Sequence, residues 1–132
     1  MTVRGIAFLL LGLVLLGAGC GGGEPDYCSD VSDLEQSVSD LGSVDVVEGG
    51  RGAVTEALDE VEGNAQAAVD SAKSDFPEET EAVTKSISDL KASAGELADS
   101  PTPQQGARTA ADVGVVASAV EDFVGATRSE CD

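Results

Sequence analysis

Apolar residues recur at intervals of three and four along most of the chain, the period of an α-helix that buries one face. Beginning near Ser29, the residues Val31, Leu34, Val38 and Leu41 fall on one side of a first predicted helix, and Gly42 weakens the run. Val44, Val46 and Val47 follow, and then Glu48 to Gly52, where three glycines predict a loop or helix boundary. A second helix is predicted from about Arg51 to Ser74. Its seam is the most regular in the chain: Val54, Leu58, Val61, Ala65, Ala68, Ala72 and Phe76 are four, three, four, three, four and four residues apart, a near-heptad stripe.

Pro77 interrupts this stripe. Proline suits the first turn of a helix, where its missing N–H has no partner to lose, and Glu78 and Glu79 suit the positive end of the helix dipole. A third helix is therefore predicted to open there, with Val83, Ile87, Leu90, Ala94 and Leu97 as its core face. Breakers from Asp99 to Pro103 predict a loop, with Thr102 capping a last helix that opens at Pro103. The stripe of that helix is Ala110, Val113, Val116, Val120, Phe123 and Ala126 or Thr127. Four helical segments of about 20 residues joined by short turns predict an all-α fold, an antiparallel up-down four-helix bundle. The competing arrangement is one long rod kinked at Pro77, because Phe76 and Val83 keep the apolar phase. It leaves Val54, Leu58, Ile87 and Leu90 more exposed to water at about 25 cal/mol per Å², so the compact bundle is preferred.

The start of the chain follows another rule. Arg4 and the amino terminus supply positive charge, and Ile6 to Leu16 is apolar apart from Gly12. A spanning helix needs about 20 apolar residues, whereas the apolar core of a secretory signal needs roughly 7 to 15 before a small-residue cleavage site. The stretch reads as a signal peptide. Its end, Leu16, Gly17, Ala18, Gly19 and Cys20, resembles the lipobox of the bacterial lipoproteins. That family usually places leucine three residues before the cysteine, where this chain has Gly17, with Leu16 one step further back. The resemblance implies cleavage before Cys20, diacylation of its sulfur by chains such as palmitate, and anchoring to the outer face of a bacterial membrane. Gly21, Gly22 and Gly23 extend the likeness to small helical lipoproteins of high-GC bacteria, many of them without an assigned activity. The expected organisation is a lipoprotein signal peptide at 1–19, a Gly-rich tether at 20–27 and a helical bundle domain at 28–132. Each buried methylene contributes about 0.8 kcal/mol and a single chain binds only marginally, so two chains make membrane residence lasting. Six or seven tether residues reach only about 15 Å, which holds the domain close to the membrane.

With Cys20 assigned to lipid, Cys28 and Cys131 remain in a chain bound for an oxidising compartment, and they are expected to pair. A bridge closing a loop of about a hundred residues contributes about 4 to 5 kcal/mol by loop-closure entropy. A zinc site would need more sulfur or imidazole ligands, and redox pairs usually sit as Cys-x-x-Cys. An even number of antiparallel passes also returns both chain ends to one end of the bundle.

Charge and composition then narrow the chemistry. Beyond the leader, six basic residues stand against 25 acidic ones. Arg51, Lys73, Lys85, Lys91, Arg108 and Arg128 are scattered singly, whereas phosphate binding relies on clustered cations, so nucleic acid is excluded as a partner. The acidity reads as a solvated surface that keeps the domain soluble; its functional version is a basic partner or divalent cations. The chain has no histidine, which removes Ser-His and Cys-His nucleophiles and imidazole ligands. Paired carboxylates can cleave glycosides in a sugar-binding cleft, but such clefts usually offer aromatic stacking faces, and beyond the leader only Tyr27, Phe76 and Phe123 are aromatic. Glu78 with Glu79, and Asp30 with Asp33, read as helix-start charges. Asp40, Ser43, Asp45 and Glu48 carry oxygen atoms without the spacing of a calcium loop, and the glycine runs at 21–23 and 49–52 lack the lysine of a phosphate loop. Seams of alanine and valine leave little volume for a ligand. No catalytic residue, cofactor or metal is expected. The expected function is that of a lipid-anchored, non-enzymatic helical module of the cell envelope, structural or protein-interacting, held to the membrane through Cys20 and available to an envelope protein partner. The alternative is a solute- or lipid-binding lipoprotein with a cavity between its helices.

Overall fold

The computed structural model describes residues 25–131, the side chains of 46–51 apart. The expected signal peptide at 1–19, Cys20 and the glycines of the expected tether lie outside the described residues. The described part is all helical: α1 (Tyr27–Gly42), α2 (Val46–Ala72), α3 (Pro77–Asp99) and α4 (Pro103–Cys131). Each helix packs on two others, α1 on α2 and α4, and α3 on α2 and α4. α2 and α3 are thus separate, mutually packed helices, and the long kinked rod does not form.

Local chemistry sets the helix ends. α3 opens with Pro77 in its first turn, and Phe76 before it takes φ −130° and ψ 62°, outside the helical region, as a residue preceding proline tends to do. Phe76 and Ala72 then share the work of the turn: the Phe76 N–H donates to the Ala72 carbonyl at 2.9 Å, and the Phe76 carbonyl accepts from the Thr80 N–H at 3.0 Å. At α4 the Thr102 hydroxyl oxygen accepts from the Gln105 N–H at 3.1 Å, the cap expected of that threonine. α1 closes on Ser43, whose N–H donates to the Ser39 and Asp40 carbonyls.

The second helix departs from expectation. Glu48 to Gly52 does not form a loop; α2 begins at Val46 and carries Gly49, Gly50 and Gly52 in its opening turns. A glycine costs a helix only about 1 kcal/mol relative to alanine, and the long seam beyond it is enough to hold the backbone helical through that cost. At the other end α2 stops at Ala72, two residues short of Ser74.

The core lies along the stripes. Val31, Leu34, Val38 and Leu41 of α1 are buried, as are Val54, Leu58, Val61, Ala65, Ala68 and Ala72 of α2 and Val83, Ile87 and Leu90 of α3. Ala94, Leu97 and Val113 are half-buried. Val116, Val120 and Phe123 of α4 are buried, Phe123 completely. Ala110 is the exception: it is exposed, and Thr109 takes its place in the stripe. Thr127, rather than Ala126, is the buried member of the last turn. Restoring these threonines gives α4 an unbroken stripe, Thr109, Val113, Val116, Val120, Phe123 and Thr127.

Six hydroxyl side chains are buried, Ser37, Thr80, Ser86, Ser93, Thr109 and Thr127. Each donates to a backbone carbonyl three or four residues earlier in its own chain segment: Ser37 to Leu34, Thr80 to Phe76, Ser86 to Val83, Ser93 to Leu90, Thr109 to Gln105 and Thr127 to Val124. A hydroxyl satisfied in this way can be buried without the desolvation cost of an orphaned donor.

Phe123→Ala is expected to lower stability by about 3 to 5 kcal/mol, since the cavity it leaves cannot collapse between four helices. Ala110→Gln, on solvent, is expected to stay within about 0.5 kcal/mol. Urea denaturation of the two variants measures both. A second set of variants tests the glycines inside the helices. A Cβ added at Gly63 or Gly95 meets nothing within 4 Å, so Gly63→Ala and Gly95→Ala are each expected to raise stability by about 0.5 to 1 kcal/mol. A shift of the urea midpoint upward in both is the readout.

Candidate functional site

Two features of this bundle bear on function: the end where Cys28 and Cys131 meet, and the outer face of α4. At the first, Cys28 lies in the opening turn of α1 and Cys131 is the last residue of α4. Their sulfurs stand 2.08 Å apart with Cα atoms at 5.5 Å, at disulfide distance. The chain between them spans 103 residues, so the two ends of the described domain sit side by side. Cys20, the expected lipidation site, lies outside the described residues; the chain reaches Cys28 from it through the tether.

The aromatic side chains collect at this end. Tyr27 meets Phe76 edge-on with ring centroids 5.5 Å apart and planes at 80°. Phe76 meets Phe123 at 6.3 Å and 65°. These edge-to-face pairs contribute about 0.5 to 1.5 kcal/mol each beyond their buried area. They close the bundle beneath the cysteines with one residue from each of α1, the α2–α3 turn and α4. Tyr27 was expected in the tether, but it belongs to α1 and is buried. A shallow hollow of about 500 Å³ beside it is lined by Pro25, Tyr27, Asp75, Phe76 and Glu130. Burial pushes the Tyr27 phenol above its ordinary 10.0, and the Glu130 and Asp75 carboxylates push it in the same direction, since a phenolate would repel both.

A groove of about 350 Å³ runs between α1 and α4, lined by both cysteines, by Ser32 and Glu35 from one helix and by Thr127 and Arg128 from the other. A third, more open groove of about 530 Å³ lies along α2 and α3, with Val69, Pro77 and Thr80 on its floor and Lys73 and Lys85 at its sides.

The surface charges are largely locally balanced where cations occur. Lys73 pairs with Asp70 at 3.3 Å, Lys85 with Asp89 at 2.8 Å, Lys91 with Glu62 at 2.8 Å and Arg108 with Glu96 at 3.3 Å. All four pairs are solvent-facing, so each is worth at most about 1 kcal/mol. The hydrogen bond from Asp89, and then its charge, raise the Lys85 ammonium above its ordinary value. Glu78 and Glu79 occupy the first turn of α3, and Asp30 the first turn of α1, where it accepts the Ser71 hydroxyl of α2 at 2.8 Å. Asp33 instead offers its backbone carbonyl to the Asn64 amide at 3.4 Å. The Asp40 to Glu48 stretch divides between the end of α1 and the start of α2. Among the described residues no group of three or more Cys, Asp or Glu side chains converges as a metal ion requires. None of the described helices is long and apolar enough to cross a membrane.

The outer face of α4 is different in kind. Gln104, Ala107, Ala111, Gly114, Val115 and Ser118 are all exposed and none is charged. Val115 is 55% exposed, the exposed large hydrophobic residue of the described part. Arg108, its side chain 65% exposed, is the charge on this face before Glu121 and Asp122, and between Ala111 and Ser118 the face carries none. By contrast, the outer faces of α1, α2 and α3 carry Asp33, Glu35 and Asp40, Glu56, Asp59 and Glu60, and Glu78, Glu81 and Asp89. Sequence reading locates the inward stripe of α4 and passes over this outward one, because the periodicity criterion marks what is buried. The signal was the low charge density between Arg108 and Glu121, where Asp112 alone is ionised.

No protein-family model, curated protein or solved structure matches this chain.

Because Tyr27 is the one tyrosine of the chain, its ionisation can be followed directly by ultraviolet absorbance in base. The expected midpoint lies above 10 in the folded protein and returns to the ordinary value in denaturant. A phenol raised in this way favours the folded state below about pH 10, and the advantage is lost as pH climbs through the folded midpoint.

Proposed function

We propose that the protein is a lipid-anchored, non-enzymatic module of the bacterial cell envelope, an antiparallel up-down four-helix bundle that presents the outer face of α4 to an envelope protein. The uncharged strip around Val115 is the observation that carries the interaction reading. On a chain whose formal charge is −18, the stretch of this face from Ala111 to Ser118, which carries no charge beyond the neighbouring Arg108, is the region that loses least on desolvation. Interface centres are depleted of charged residues for this reason.

The antiparallel reading draws on the order of contacts between neighbours. Along α1 from Asp30 to Asp33, the partners on α2 descend from Ser71 to Asn64. Between α3 and α4, Ser93 and Glu96 meet Thr109 and Arg108, again in descending order. Four passes of this kind return the carboxyl end of α4 to the amino end of α1. That return is compatible with a Cys28–Cys131 disulfide and with a membrane anchor a few residues upstream.

Anchoring rests on the Leu16 to Cys20 pattern and its likeness to a lipobox. With lipid on Cys20, the clasped end would face the membrane and the length of α4 would rise from it. The strip from Gln104 to Ser118 lies toward the far end of α4, where a neighbour in the envelope can reach it. The solute-binding alternative draws on the groove between α2 and α3, but that groove is open along its length and its lysines are already paired with carboxylates, so the helix-face reading is preferred.

The test is the intact mass of protein extracted from membranes in detergent, before and after reduction. The expected species begins at Cys20, carries a diacylglyceryl group, and is lighter by a pair of hydrogens before reduction. A chain that retains residues 1–19, or a Cys20 without acyl mass, would remove the anchor. Crosslinking from a photoreactive residue at position 111 in whole cells then tests the interaction face: adding Val115→Glu should lose the crosslinked species while keeping the melting temperature.

A further inference from the structure

The hollow of about 500 Å³ beside Tyr27 gathers residues from separate parts of the chain: Pro25 and Tyr27 from the entry to α1, Asp75 and Phe76 from the turn between α2 and α3, and Glu130 from the last turn of α4. Its volume falls within the roughly 300 to 1,000 Å³ of small-molecule sites. Backbone bonds fix two of its walls. The Pro25 carbonyl accepts the Cys28 N–H at 3.0 Å, and the Asp75 and Phe76 N–H groups both donate to the Ala72 carbonyl, at 3.0 and 2.9 Å.

Tyr27 carries the first sign of a ligand. The residue is only 6% exposed, and a phenol covered to that degree usually finds a hydrogen-bond partner. Its hydroxyl has none among the described residues. Since no side-chain polar atom sealed from water lacks a partner among those residues, the uncovered remainder of Tyr27 includes its hydroxyl oxygen, and the hollow is the opening that it lines. The second sign is charge. Asp75 and Glu130 line the same hollow and both act on the Tyr27 phenol, yet neither carboxylate has an ion-pair partner among the described residues. The cations nearest them in the chain are used elsewhere: Lys73 pairs with Asp70, and Arg128 lines the groove between α1 and α4.

We infer that this hollow binds an aliphatic ammonium group, held by Asp75, Glu130 and the Tyr27 hydroxyl. The ammonium N–H groups donate to the two carboxylates and to the phenol oxygen, bonds that charge on both partners strengthens. Pro25, Phe76 and the ring of Tyr27 supply an apolar wall for the methylene carbons next to the nitrogen. A divalent metal ion fits the same residues less well. A hard cation of that kind takes six or more oxygen ligands, several of them charged, whereas the hollow offers two carboxylates and a neutral phenol, and among the described residues no group of three or more Cys, Asp or Glu side chains converges. Its apolar wall would also serve no purpose for a bare ion. An ammonium of this chemistry is carried by a free aliphatic amine or by the ethanolamine headgroup of a lipid, and the hollow opens at the end of the bundle where the chain enters α1.

The test follows the fluorescence of Tyr27 in the full chain, held in an alkyl glucoside at neutral pH, since the chain has one tyrosine and no tryptophan. Titration with n-propylammonium chloride is expected to give a saturable change in the roughly millimolar range, with sodium chloride of equal ionic strength giving none. Asp75→Asn combined with Glu130→Gln should weaken the response about fivefold or more. Glu56→Gln combined with Asp59→Asn, which removes the same charge from the outer face of α2, should leave it unchanged, and both variants should keep the wild-type melting temperature. Phosphatidylglycerol vesicles with and without phosphatidylethanolamine then separate the sources: the same change on adding phosphatidylethanolamine assigns a lipid headgroup, and a change confined to propylammonium assigns a free amine. A response to neither probe would overturn the site, as would one that the Asp75 and Glu130 substitutions leave intact. Calcium chloride acting at lower concentration than propylammonium would overturn the ammonium assignment in favour of a metal ion.

Discussion

The meeting of the two chain ends at Cys28 and Cys131 is the constraint on which the rest of the bundle depends. Residues 103 positions apart come within 5.5 Å at their Cα atoms, and such closure demands that the four helices between them make no net excursion. The turns allow it: each of the three connections is only three or four residues long, so every helix must lie against the one before it. The proposed disulfide would close a loop of this length in the unfolded chain as well, removing roughly 4 to 5 kcal/mol of loop entropy from it. That contribution is a large part of the roughly 5 to 15 kcal/mol by which domains of this size are stable. The closure matters more here than in a bundle with larger side chains, because the second helix offers Ala65, Ala68 and Ala72 to the core where leucine is more usual. The aromatic triplet of Tyr27, Phe76 and Phe123 closes the same end with apolar contacts, and toward the far end the Thr109 hydroxyl reaches the Ser93 carbonyl and Arg108 pairs with Glu96.

Much of this arrangement was legible in the residues. The second helix was read from seven apolar positions at heptad-like spacing, and six of them are buried while Phe76 is half-buried at the turn. Pro77 as a helix opening and Thr102 as a cap followed from backbone chemistry that does not depend on tertiary context. The hydroxyls were not legible. Ser86, Ser93 and Thr109 sit in the interior because each bonds a carbonyl of its own helix, and a hydrophobic pattern counts them as polar. The misreading of Ala110 is the same error seen from the other side: alanine is compatible with either face of a helix, and the stripe continued through a threonine instead. Glu48 to Gly52 misled because glycine is a weak breaker. Its cost in a helix is about 1 kcal/mol, which packing elsewhere in α2 can overcome.

Charge distribution completes the connection between fold and surface. A bundle built from four amphipathic helices needs solvating residues on its outer faces, and α1, α2 and α3 meet that need with carboxylates. The outer face of α4 meets it with Arg108 alone among the exposed glutamine, alanine, glycine, valine and serine from Gln104 to Ser118, and a Cβ at Gly114 meets nothing within 4 Å. The neutrality of this strip is therefore not imposed by packing. Repulsion among like charges opposes the approach of acidic neighbours at the other three faces, and at ordinary ionic strength that repulsion extends about 8 Å. The proposed contact face follows from this contrast: from Ala111 to Ser118 an approaching surface meets less of this repulsion, and less desolvation of ionised groups, than over the carboxylates of α1, α2 and α3.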